Sequence, residues 1–97
     1  MQRANHLEEI LGHLIYLKII KELAISEKPL TKYRITVRTG LKSVDVKKAL
    51  MKLIEIGWVM EHNTKPKKYS LNYQNPLAKK LVKCLKELGY IQVRSSV

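Results

Sequence analysis

Phenylalanine is absent from these 97 residues, tryptophan and cysteine occur once each, and 8 acidic side chains face 19 Lys and Arg. Each shortage excludes something. Without Phe, a core has to be assembled from Ile, Leu, Val, Trp58 and the 5 Tyr, and a hydrophobic share of 45% is enough to fill one and to exclude a disordered chain. A lone cysteine, Cys84, forbids an intrachain disulfide, so a reducing compartment is expected. The longest uninterrupted apolar run, Leu14 to Leu17, stops at Lys18, far short of the roughly 20 residues that span a bilayer. The opening residues lack the apolar segment and small-residue cleavage site of a secretory leader. These features lead us to expect a cytoplasmic protein with no membrane partner. The few glycines and prolines form no linker, and the length is that of one domain, expected to cover residues 1–97.

Acid is scarce where base is plentiful, and the imbalance is localised. Residues 1–28 carry four basic side chains (Arg3, Lys18, Lys21, Lys28) and four acidic ones (Glu8, Glu9, Glu22, Glu27), so the whole net charge of +11 lies beyond residue 28. Charge confined to one part of a fold is the footprint of a polyanion-binding surface. A lysine-rich solvated surface is the simpler alternative.

The periodicity gives four helices and a hairpin. Leu7, Ile10, Leu11, Leu14, Tyr16, Leu17, Ile20 and Leu23 recur at helical spacing over about residues 5–25, on a surface too wide for one face. Pro29 ends that segment. Thr31 reads as the N-cap of a short second helix, about 32–38, stopped by Gly40. Ser43 reads as the N-cap of a third helix running to about Ile56, stopped by Gly57, with Val46, Ala49, Leu50, Leu53 and Ile54 inward. From Trp58 the period changes to two, so residues 58–62 and 68–72 read as strands of a hairpin whose tip, 63–67, is basic. Asn75-Pro76 opens a fourth helix that Gly89 closes, spanning about 76–88.

Leu30 to Gly57 is thus a helix, a tight glycine turn and a second helix, with Ile35, Leu41, Val46 and Ala49 where crossed helices meet and Thr36 small at their closest approach. Thr39 stands where a larger apolar residue is usual; its hydroxyl can bond a carbonyl one turn back. With the hairpin that follows, residues 7–88 resemble the winged-helix transcription regulators, the group that includes MarR-, ArsR- and PadR-like repressors and small archaeal and viral regulators. The resemblance implies an α+β winged helix-turn-helix: a three-helix core, a two-stranded β-hairpin wing over 58–72 and a C-terminal helix. It implies double-stranded DNA as partner, with the third helix entering the major groove.

Subtracting the core positions leaves Lys42, Ser43, Val44, Asp45, Lys47, Lys48, Met51 and Lys52 facing outward on the third helix. Lysines can reach guanine O6 and N7 or phosphate, Ser43 can bond either, and Val44 can meet a thymine methyl. That helix holds no Asn, Gln or Arg, the side chains of strong base readout. Arg34 and Arg38, one turn apart on the second helix, are expected on phosphates, and Lys65, Lys67 and Lys68 at the wing are expected on the minor groove or flanking phosphate. Tyr33, Trp58, Tyr69 and Leu71 read as core.

In the fourth helix Leu77, Leu81, Cys84 and Leu88 follow a heptad-like spacing, with Lys79, Lys80, Lys83 and Lys86 as its wet side. Together with Leu7, Ile10 and Leu14 of the two-sided first helix they predict a homodimer interface. No catalytic constellation can be assembled from 8 acids, three histidines and Cys84 at unrelated spacings, so no enzyme activity, small-molecule substrate, cofactor or metal is expected. On one helix His6 and His13 would be about 10.5 Å apart, too far to share an ion. The expected function is dimeric DNA-binding regulation, which would make the protein nucleoid-associated. Alternatives are a sequence-tolerant DNA-coating protein and a winged-helix protein-interaction module.

Overall fold

The computed structural model describes residues 10–92. In chain order it has α1 (Leu14–Ile25), β1 (Leu30–Thr31), α2 (Lys32–Thr39), α3 (Ser43–Glu55), β2 (Val59–His62), β3 (Lys68–Leu71) and α4 (Pro76–Glu87). The strands form one antiparallel sheet in the order β1-β3-β2, with Val59 opposite Leu71, Glu61 opposite Tyr69 and Leu30 opposite Tyr69 on the other side.

Helix one is shorter than the periodicity predicts. Residues 10–11 are helical, but Gly12 and His13 interrupt the run, and His13 caps α1 with an extended backbone (φ −128°, ψ 114°). Glycine costs about 1 kcal/mol in a helix relative to alanine, which makes it a cheap place to break. Ile10 lies on the near side of that break and is fully buried. Leu7 lies outside the described residues.

The stops are well made. Gly40 takes φ +73° and its N–H donates to the Thr36 carbonyl. Gly57 (φ +84°) closes α3 with paired bonds, Gly57 N–H to the Ile54 carbonyl and Trp58 N–H to the Leu53 carbonyl, the Schellman arrangement. The same pair recurs at the end of α4, from Gly89 to Lys86 and from Tyr90 to Leu85. At the starts, Thr31 Oγ1 accepts from Arg34 N–H at 3.1 Å, and Asn75 Oδ1 accepts from Leu77 and Ala78 N–H at 2.9 and 3.2 Å. Ser43 is not the cap of α3. Lys42 occupies that position without a side-chain bond, Ser43 is the first helical residue, and Asp45 supplies a negative charge to the first turn.

One cluster holds the elements together. Ile10, Ile19, Ile20, Ile35, Val46, Leu53, Trp58 and Ile91 are the innermost side chains, with Leu30, Val59 and Leu71 from all three strands and Ala78, Leu81, Val82 and Leu85 from α4 around them. Among the described residues no polar or charged side chain is buried. Trp58 and Leu71 are core, as expected, and Tyr69 is half-buried against it. Tyr33 is not core: it stands 74% exposed on α2, because Ile35 and the half-buried Thr36 and Thr39 take the inward positions of that short helix. Leu30-Thr31 also does more than open α2, since it forms a third strand on the open edge of β3.

Candidate nucleic-acid interface

Two helices meet around Gly40. Ile35 and Val46 are fully buried, Ala49 nearly so and Leu41 half-buried, which fixes α3 across α2. Thr39 fits its unusual place: its hydroxyl donates to the Ile35 carbonyl at 2.7 Å and its oxygen accepts from Leu41 N–H at 3.3 Å, so it ties the turn. With Val46, Ala49, Leu50 and Leu53 inward, α3 turns Val44, Lys47, Lys48 and Met51 out. Those four lie at i, i+3, i+4 and i+7, a single stripe. Its two apolar members are 54% and 62% exposed, a poor arrangement in water and a suitable one against base edges. Lys42 and Ser43 are exposed at the leading end. Lys52 sits half-buried beside the stripe, its Nζ 3.9 Å from Glu55 Oε1.

The wing divides its lysines between two hollows, because side chains alternate across a strand. On one face of β3, Lys67 and Tyr69 join Lys32, Glu61, and Lys47 and Met51 of α3 around a groove of about 300 Å³. On the other, Lys68 joins Lys28, Arg34 and Arg38 around a wider hollow of about 550 Å³. The two α2 arginines and a wing lysine, far apart in sequence, thus come together. Lys65 is exposed at the tip, where Thr64 donates to the Pro66 carbonyl at 2.7 Å.

Glu61 is the residue sequence reading passed over. It lies in the groove between α3 and the wing, with Oε1 3.7 Å from Lys67 Nζ and Oε2 accepting from the Tyr69 hydroxyl at 3.3 Å. Partial burial, then the Glu61 charge, then that hydrogen bond raise the Tyr69 pKa above its ordinary 10.0. The two-residue alternation that pairs Glu61 with Tyr69 was available in the sequence; their bond to one another was not. On the outer sheet face His62 Nε2 lies 2.7 Å from Ser70 Oγ.

The residues expected at a dimer interface separate into two sets. Ile10 and Leu81 belong to the protomer's own core, and α4 turns Ala78, Leu81, Val82 and Leu85 inward rather than the seam from Leu77 to Leu88. Leu77 is half-buried; Leu14 is 60% and Leu88 74% exposed, and Cys84 is exposed. Among the described residues no His, Cys, Asp and Glu cluster could hold a metal ion, and no helix is long and apolar enough to cross a membrane.

No family model matches this chain, and none of the curated proteins does. Among solved structures it is similar to a possible HxlR family transcriptional factor from Thermoplasma volcanium, with a TM-score of 0.68 and 19% identity over 84% of this chain and 77% of that one. The likeness shows the fold: among the described residues, the four helices α1 to α4 and a three-stranded antiparallel sheet in the α+β winged-helix arrangement.

Proposed function

We propose that this protein is a double-stranded DNA-binding transcription regulator that acts as a homodimer, with α3 in the major groove. The observation that carries the reading is the outward stripe of α3, Val44, Lys47, Lys48 and Met51, of which Lys47 and Met51 line a groove shared with Lys67 of the wing and Lys32 of α2, while Arg34, Arg38 and Lys68 gather around a second hollow. Lys42, Lys47 and Lys48 then meet phosphate or guanine, Ser43 and Val44 the adjoining bases, and Arg34, Arg38 and Lys68 the backbone on the far side of the wing. Lys65 and Lys67 reach flanking phosphate. Lys52 contributes charge from beside the stripe. The structural neighbour, itself a possible transcriptional factor, adds support at the level of the fold. Catalysis has no place in this reading, which also requires no cofactor and puts the protein with the chromosome in the cytoplasm.

Exposed Leu11, Leu14 and Leu88, with Cys84 alongside on α4, supply apolar surface for the dimer contact. Two copies of α3 related by a twofold should protect half-sites about 34 to 36 Å apart. Footprinting on a selected operator tests this: two protected segments one helical turn apart are expected, and a single segment contradicts the dimeric arrangement. Sedimentation provides the independent check, since Leu14→Glu with Leu88→Glu should convert dimer to monomer.

A second reading follows from the same stripe. Because α3 carries three lysines over Ser43 to Glu55, with Lys42 at its cap and no Asn, Gln or Arg, the protein is also suited to coating DNA with little regard for sequence. Competition between a selected site and random duplex separates the two. Specific regulators prefer their sites by about a thousandfold or more.

A further inference from the structure

The outer face of α4 carries a second concentration of positive charge, which lines neither of the two hollows described above. Lys79, Lys80, Lys83 and Lys86 are all exposed, and Ala78, Leu81, Val82 and Leu85 take the buried face. None of the four pairs with a carboxylate among the described residues, whereas Lys52 and Lys67 each have one beside them. Like charges at i, i+3 and i, i+4 repel along a helix, and here three such pairs occur (79 with 83, 80 with 83, 83 with 86). A solvated helix face usually laces lysine with acid at these spacings. Glu87 is the only acid on α4, so most of that compensation is missing.

The placement of α4 gives this face its meaning. The helix packs chiefly on α1, and none of its lysines lines the groove that α3 shares with the wing. Its N-terminus is tied to the far end of α3, where Asn75 Nδ2 donates to the Gly57 carbonyl at 3.2 Å. Both lysine faces point away from the shared core. From Lys79 to Lys86 the stripe is about 10 Å long at ~1.5 Å per residue, long enough to follow successive phosphates of one strand.

We propose that the lysine face of α4 binds the backbone of a second DNA duplex, so that the protein bridges two duplex segments. This rests on the DNA-binding reading of α3 and adds to it a contact that reads no bases. Duplex DNA fits because four exposed lysines, none of them in an ion pair among the described residues, match an evenly spaced polyanion. The stripe carries no aromatic side chain for stacking on unpaired bases.

The test uses one duplex fixed to beads and a second, fluorescent duplex free in solution. The full chain is compared with the quadruple variant Lys79→Gln, Lys80→Gln, Lys83→Gln, Lys86→Gln, and with Lys47→Ala/Lys48→Ala. Wild type should capture the free duplex. The α4 variant should bind a single duplex within about twofold of wild type yet capture about tenfold less of the second, and should melt at or above the wild-type temperature because the repulsion is gone. Capture by the α4 variant equal to wild type would overturn the proposal, as would single-duplex binding by wild type with no capture. If the α4 variant loses single-duplex affinity in step with capture, α4 belongs to the first duplex's contact and bridging is refuted. If wild type binds no duplex even at low salt, the DNA reading itself fails; polyglutamate binding that the α4 variant loses would then mark the face as one for acidic protein.

Discussion

Replacing Glu61 with Gln should tighten DNA binding. The carboxylate sits in the groove between α3 and the wing and holds Lys67 at 3.7 Å, so a phosphate arriving there meets a negative charge and a lysine already engaged. At about 7 Å in water, two unit charges repel by roughly 0.6 kcal/mol before salt screening, and a part-exposed ion pair of this kind is worth about 0.2 to 1 kcal/mol. Removing the first cost and freeing Lys67 together should improve binding by about 0.5 to 1 kcal/mol, a factor of roughly two to five. The log–log salt slope should steepen by about one if Lys67 gains a phosphate. Gln keeps an acceptor for the Tyr69 hydroxyl, so the fold and the groove survive. The phenol's ionisation should move down toward its ordinary 10.0 without reaching it, because burial, the larger cause, remains. Fluorescence anisotropy on one duplex at several salt concentrations reads the affinity, and ultraviolet titration reads the tyrosine. Unchanged or weaker binding by Glu61→Gln, with Tyr69 shifted as stated, would refute the placement of DNA in this groove.

Other consequences concern the fold that positions the site. Gly40→Ala should destabilise by about 1 to 2 kcal/mol through its left-handed backbone alone, since nothing lies within 4 Å of an added Cβ; thermal melting followed by Trp58 fluorescence checks it. Asn75→Ala should cost about 1 to 2 kcal/mol in the same assay, because it removes the cap of α4 while the Gly57 carbonyl keeps its bond from Asn72 at 2.9 Å. Trp58→Ala, at 1% exposure, should cost about 3 to 5 kcal/mol, and circular dichroism should show a largely unfolded chain at 37 °C.

Local chemistry made most of the architecture legible in the sequence. Thr31 and Asn75 have side-chain oxygens and cap helices; Gly40, Gly57 and Gly89 adopt the positive φ that stops them. The stripe on α3 was found by subtracting core positions, and that worked because one helix fixes which residues share a face. Long-range contacts were hidden. Nothing local marks Leu30-Thr31 as a strand, since two residues carry no period and their partner lies in β3. The break at Gly12 is invisible to a count of apolar residues, which stay in phase across it. Tyr33 was misplaced because an aromatic side chain suggests burial, whereas on this eight-residue helix Ile35 already fills the core position. Glu61 joins Lys67 and Tyr69 only once the hairpin has closed. On α4 the protomer's own core takes Leu81 from the expected seam along with Ala78, Val82 and Leu85, and leaves Cys84 and Leu88 on the surface.

The most direct test of DNA binding through α3 is the affinity for a mixed-sequence duplex of about 30 base pairs, measured from low to physiological salt for wild type and for Lys47→Ala/Lys48→Ala. A dimer neutralising about three to five phosphates per protomer should show a log–log slope of about −5 to −9. The variant, altered only at exposed positions, should melt with wild type, bind more weakly and show a shallower slope. Equal binding by the two proteins, or no binding by wild type even at low salt, would contradict the account.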